Sequence, residues 1–183
     1  MNILLHTCCA PCSIMPIQKL SEAGHEITAY FYNPNIHPYR EYKMRRNTFK
    51  DYMIRLGIPF VVEDDYDLEG FLTGAVAKMA ASENRCGFCY EMRLLKAAEY
   101  AKNHGLDVFT STLLVSIYQN HDLIRKTGEK TGKIKGVDFY YDDFRPYFRE
   151  GQNQARELGL YMQSYCGCIY SEKERYWKAP KKA

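Results

Sequence analysis

Seven cysteines arrive in three tight groups: Cys8, Cys9 and Cys12, then Cys86 and Cys89, then Cys166 and Cys168. This grouping constrains the chain more than any other feature. Inert core thiols would be scattered singly along the buried positions. A disulfide framework belongs to small secreted domains, and an odd count leaves one thiol over. The start of the chain, Met1 to His6, has no basic leader, and no apolar run approaches the roughly 18–20 residues of a membrane helix. A cytoplasmic setting with no membrane partner is therefore expected, and there clustered thiols signal metal binding or redox chemistry. At 183 residues, 46% of them hydrophobic, the chain is long enough to bury a core as a single domain over 1–183 without covalent staples.

Hydrophobic periodicity predicts alternating strands and helices. Residues 2–7 read as a buried strand ending on the first cysteine group, and Pro16 to Ala23 as a helix stopped by Gly24. Strands follow at 26–32 and 59–63, around a helix from Arg40 to Leu56. Phe71 to Ala81 reads as helix. The second cysteine pair sits in a break, Asn84 to Cys89, that opens a helix to about His104. Short strands at 108–110 and 139–141 flank a helix after Tyr118, and a helix over 150–158 precedes the last cysteines. The alternation predicts an α/β fold, a parallel sheet with helices on both faces. In such sheets ligands bind beyond the carboxyl ends of the strands, where the first cysteine group falls.

Several chemistries compete for these cysteines. Cys9-Ala-Pro-Cys12 at a strand-to-helix turn resembles a thiol–disulfide oxidoreductase motif, but that leaves Cys8 and four further cysteines without a role. A radical-SAM spacing fails because position 15 is methionine. Cys86-Gly-Phe-Cys89 and Cys166-Gly-Cys168 can each chelate one metal, the latter through a sharp turn at Gly167. A zinc-stabilised RNA-binding module would use four thiolates and leave three; a cubane iron–sulfur cluster also takes four, and the remainder could hold a second metal. No histidine pair has metal-ligand spacing, and neither a P-loop nor GxGxxG occurs.

The net charge of +3 is modest, but its layout is polarised. Arg40, Lys43, Arg46 and Lys50 make a basic stripe on the second helix, either a solvated face or a phosphate track. Lys173, Arg175, Lys178, Lys181 and Lys182 crowd the far end, with acidic residues 63–69 between the two zones.

The clusters, together with Tyr32-Asn-Pro-Asn-Ile-His-Pro38, Arg85-Cys-Gly-Phe-Cys-Tyr90, Thr112 to Gln119, Asp143-Phe-Arg145 and Gly159 to Cys168, resemble the cobalamin-independent epoxyqueuosine reductases of the QueH type, in the family's order over nearly the whole chain. The resemblance implies an adenine-nucleotide α-hydrolase-like fold. It also implies two-electron deoxygenation of epoxyqueuosine in the anticodon loop of tRNA, fed by an unidentified low-potential electron donor. It further implies a [4Fe–4S] cluster beside a second metal ion, iron, held by cysteine and carboxylate. On that basis Cys86 and Cys89, joined by Cys9 and Cys168, are assigned to the cluster. The remaining thiols go to the second metal, with Asp143 and Asp67 as carboxylate candidates. Cys8, Cys9, Cys12 and Asp143 are the expected catalytic set. Arg40, Lys43, Arg46 and Lys50 are expected to hold tRNA phosphates, and Tyr32 or Tyr39 to stack on unpaired bases.

Overall fold

The computed structural model describes residues 1–81 and 83–178; Lys181 and Lys182 of the basic C-terminal run lie outside them. Five strands, β1 (Asn2–His6), β2 (Glu26–Phe31), β3 (Phe60–Val62), β4 (Val108–Ser111) and β5 (Asp138–Phe139), form one sheet in the order β3-β2-β1-β4-β5. Every pairing is parallel, with Leu4 opposite Thr28 on one side and Phe109 on the other. Ile3, Leu4 and Leu5 are all fully buried, as a strand covered on both faces requires.

Among the described residues there are seven helices: α1 (Ala10–Glu22), α2 (Tyr39–Leu56), α3 (Leu68–Ala80), α4 (Arg85–Asn103), α5 (His121–Lys135), α6 (Phe148–Glu157) and α7 (Ile169–Tyr176). Right-handed crossovers put α1 and α2 on one face and α4 and α5 on the other, with α6 against α1 and α3 against α4. The chain leaves β1 in opposite directions for β2 and β4, so the switch point lies at the carboxyl ends of β1 and β4. Cys8 and Cys9 follow β1 there, and a 3₁₀ turn, Thr112–Val115, follows β4.

Three sequence expectations need correction. α1 starts six residues earlier than the periodicity suggests, because Cys9 caps it and Pro11 sits in the first turn, where its missing N–H costs nothing. The helix runs on through Pro16, which cannot bond the Cys12 carbonyl one turn back. Cys86 and Cys89 are inside the first turns of α4 rather than in a break, because Asn84 caps that helix through the Cys86 amide (2.8 Å). The C-terminal α7 is unanticipated by the periodicity altogether.

At the α5–β5 corner a glycine is pressed against backbone: a Cβ built on Gly132 would meet the Val137 carbonyl oxygen at 2.5 Å. Backbone cannot yield as a side-chain tip can. Gly132→Ala is expected to destabilise the protein by about 1–3 kcal/mol, read as a lower urea midpoint at unchanged m-value. An unchanged midpoint would mean that this corner is looser than described.

Candidate metal centre

Each cysteine group opens a helix. Cys9 is the N-cap of α1 and Cys12 lies in its first turn; Cys86 and Cys89 begin α4; Cys168 caps α7, its sulfur accepting from the Ser171 amide at 3.4 Å. Helix N-termini expose unpaired N–H groups and the positive end of the dipole, both of which favour anionic sulfur.

Side-chain amides tie the groups together. Gln163 Nε2 donates to Cys9 Sγ (2.9 Å) and Cys12 Sγ (3.4 Å), joining the last segment to the first cluster. Gln119 Nε2 donates to Cys166 Sγ (3.1 Å), and its Oε1 accepts from the Tyr90 hydroxyl on α4. Cys89 and Cys168 share an apolar cluster with Phe71 and Ala75. Among the described residues, Cys8, Cys9 and Cys12 are the one set of three donors lying within 4.8 Å of one another.

Cys8 Sγ lies 3.7 Å from Cys9 Sγ and accepts from Thr112 Oγ1 at 3.3 Å. Hydrogen bonds with Cys12 and Cys9 hold the Cys8 thiol well below the ordinary range, with help from Thr112 and the Arg93 charge. Burial pushes Cys9 up, bonding to Cys8 and Cys9 raises Cys12, and burial lifts Cys89 to about 12. Within the triad it is therefore Cys8 whose thiol gives up its proton most readily.

The third group is fastened by Arg45, which is 1% exposed. Its Nε pairs with Glu41 (2.7 Å), while Nη1 and Nη2 donate to the carbonyls of Cys166 (2.8 Å) and Tyr165 (2.9 Å). Tyr161 also donates to Glu41, and the His37 amide donates to the Gly167 carbonyl (2.8 Å). Gly167 is required: its φ is +143°, and a Cβ there would lie 3.1 Å from Ile36 and 3.2 Å from Arg45 Nη1.

Both carboxylates expected as metal ligands lie outside the thiol triad and hold other partners. Asp67 caps α3 through the Gly70 amide (2.9 Å). Asp143 is clasped by Arg145 (2.8 and 2.7 Å), which brings its carboxyl down to about 2, and lies 3.5 Å from His121 Nε2. On α2, Arg46 is ion-paired with Asp64, while Arg40, Lys43 and Lys50 stay exposed. Tyr32 is only 9% exposed and cannot offer a stacking face as expected; Tyr39, at 48%, can.

Cys12 and Cys166 open into a cavity of about 850 Å³ that Arg149, Arg156 and Arg175 also line. Periodicity does not point to Arg149, Arg156, Gln119 or Gln163 as site residues, because they come from separate loops and helix ends that only the tertiary fold brings together.

The fold is that of the adenine-nucleotide α-hydrolase-like proteins, here with cysteines in the loop after β1. Among solved structures the chain is similar to the U34-tRNA thiolase NcsA from Methanococcus maripaludis, described with its [4Fe–4S] cluster (17% identity, 93% of this chain and 61% of that one, TM-score 0.61). It is also similar to a predicted subunit of tRNA methyltransferase from Methanocaldococcus jannaschii (11%, 86% and 75%, TM-score 0.58). At such identities the likeness concerns the fold alone. The family model described as epoxyqueuosine reductase QueH matches residues 3–174. Relatives named epoxyqueuosine reductase QueH are 35% identical in Dehalococcoides mccartyi (97% of this chain, 96% of the relative) and 39% in Haemophilus influenzae (93% and 71%). Another, in Thermotoga maritima, is 31% identical (95% and 92%). The chain belongs to the epoxyqueuosine reductase QueH family.

Arg45→Met leaves the Glu41 carboxylate buried without its cation, a loss of about 3–5 kcal/mol. The expected readouts on metal-free protein are a lower urea midpoint and faster maleimide labelling of Cys166. Pairing it with Glu41→Gln should restore most of the stability. Wild-type stability in the single variant would refute the fastening role.

Proposed function

We propose that this chain is an oxidoreductase that converts epoxyqueuosine in tRNA to queuosine. The balance is epoxide plus two electrons and two protons to alkene plus water. The observation that carries this reading is three cysteine groups set at three helix N-termini, with Cys12 and Cys166 lining a nucleoside-sized cavity, in a chain of this family.

The residues fit an iron–sulfur group. All donors are thiols, amide N–H groups already point at the sulfurs, and the buried Arg93 has an Nη2 without a partner among the described residues. Cys9, Cys86, Cys89 and Cys168 would hold a [4Fe–4S] cluster, leaving Cys8, Cys12 and Cys166 for a second metal, iron. When bound, such a centre supplies single electrons and a Lewis acid for the departing oxygen. Asp143, which Arg145 clasps, or Asp67, whose Oδ1 caps α3, would join as the carboxylate ligand.

This chain's own residues do the rest. The cavity amides Gln119 and Gln163 fix the sulfur positions and line the wall that the modified base would meet. Arg149, Arg156 and Arg175 face the same space and suit the phosphates flanking a splayed-out base. Arg40, Lys43 and Lys50 offer a second, exposed phosphate track on α2, with Tyr39 beside it. A low-potential donor must supply the electrons, and free thiols suit the reducing cytoplasm, where a single domain carries the whole reaction. A thiol–disulfide exchange at Cys9 and Cys12 is disfavoured because both thiols are raised and Cys9 is 1% exposed. A zinc-only RNA-binding module leaves three gathered thiols idle.

The decisive experiment is anaerobic purification, iron and sulfide analysis, and turnover of epoxyqueuosine-containing tRNA with a strong reductant. About four sulfides per chain and formation of queuosine, both lost on iron chelation, are expected. Stoichiometric zinc with no sulfide and no turnover would overturn the proposal. Replacing Arg149, Arg156 and Arg175 together by Gln should weaken binding of an anticodon stem-loop and reduce its salt slope by roughly 2. The matching Arg40, Lys43 and Lys50 triple variant shows whether α2 shares the load.

A further inference from the structure

The molecule buries two guanidinium groups beside its thiols, and they are held differently. Arg45 has a carboxylate and two carbonyls. Arg93 is 1% exposed, yet its one described hydrogen bond runs from Nε to the Cys89 carbonyl at 3.1 Å, and Nη2 has no partner among the described residues. No carboxylate pairs with it there. A buried, unpaired charge costs several kcal/mol, and arginine cannot escape by losing its proton. Something in the working protein must supply the anion.

Position identifies it. Cys86, Cys89 and Arg93 recur at helical spacing, so they share one face of α4. The Arg93 charge is felt by Cys8 in the first group, by Cys86 and Cys89 in the second and by Cys166 in the third. Four thiolates around a divalent ion, or around a cubane cluster, leave a net negative charge in this low-dielectric pocket.

We infer that Arg93 is the built-in counter-cation of the thiolate-bound metal centre: it stabilises the loaded site and raises the potential at which that site takes up an electron. The inference rests on the metal-centre reading above. Because it concerns charge, it extends to any tetrathiolate metal at these cysteines. It also gives the metal-free protein a built-in penalty, which loading removes.

The test uses Arg93→Met and Arg93→Lys in the full chain, with Zn²⁺ as the first probe and circular dichroism confirming the fold of each. Arg93→Met should weaken zinc by at least about tenfold, while Arg93→Lys keeps most of the affinity. In urea, the metal-free Met variant should be at least as stable as wild type, and the order should reverse once zinc is bound. After iron and sulfide loading, a tenfold weaker hold on the reduced centre lowers the midpoint by about 59 mV, with Lys close to wild type. Equal zinc affinity in wild type and Arg93→Met would overturn the inference, as would an unshifted midpoint. If zinc binding depends on Arg93 but wild type never assembles iron and sulfide, the reductase reading falls and the counter-cation stands. If loaded wild type reduces the epoxide while the Met variant is unaltered in affinity and midpoint, the reverse holds.

Discussion

All five strands run the same way, and that alignment decides where chemistry can occur in this chain. Parallel strands deliver every β-to-α loop to one edge, and the reversal of direction at β1 opens a crevice there. Cys8, Cys9 and Cys12 leave β1 directly into it, and Thr112 arrives from β4 to bond Cys8. The other two groups come from further away in sequence, on α4 and at the head of α7. They reach the same edge because helix N-termini, like the loops, point back toward it. Helix polarity and strand direction therefore give a single result: thiols where positive dipole ends converge.

Holding acidic-prone sulfur in a dry pocket creates an electrostatic problem that two buried arginines meet in different ways. Arg45 is internally neutralised by Glu41, so it acts as a fastener that carries the Cys166–Cys168 turn whether or not a metal is bound. Arg93 has no such partner among the described residues, and its charge is available to whatever the sulfurs bind. Exchanging their roles would fail in both directions. A carboxylate beside Arg93 would cancel the charge it offers the thiols, and an unpaired Arg45 would destabilise the turn that carries Cys166 and Cys168.

Much of this was legible in the sequence. The strand order could not be read, but the parallel sheet, the switch-point placement of the first cysteines and the glycine turn between Cys166 and Cys168 all follow from local pattern. The errors have local causes too. Prolines at 11 and 16 hid the true start of α1, because proline ordinarily ends a helix. α7 escaped notice because its cap is a cysteine, outside the usual Ser, Thr, Asp and Asn set. Position after a strand marks Asp67 as a ligand candidate but does not reveal that its side chain also caps α3. Arg45 and Arg46 are adjacent in sequence, yet one is buried and the other is ion-paired at the surface; a charge count cannot tell them apart.

The cations of this protein also divide by depth, and depth sets what each can do. Arg93 and Arg45 act where solvent is excluded, so salt screens them little and their influence on the sulfurs is nearly constant across ionic conditions. Arg149, Arg156 and Arg175 stand in open solvent at the cavity rim, where their attraction for phosphate is long-ranged but screened within about 8–10 Å at physiological salt. A polyanion drawn in by the rim would bring its own negative charge toward a negatively charged metal centre, which opposes electron uptake. A permanent cation buried next to Cys89 offsets that field, so substrate binding and reduction need not work against each other.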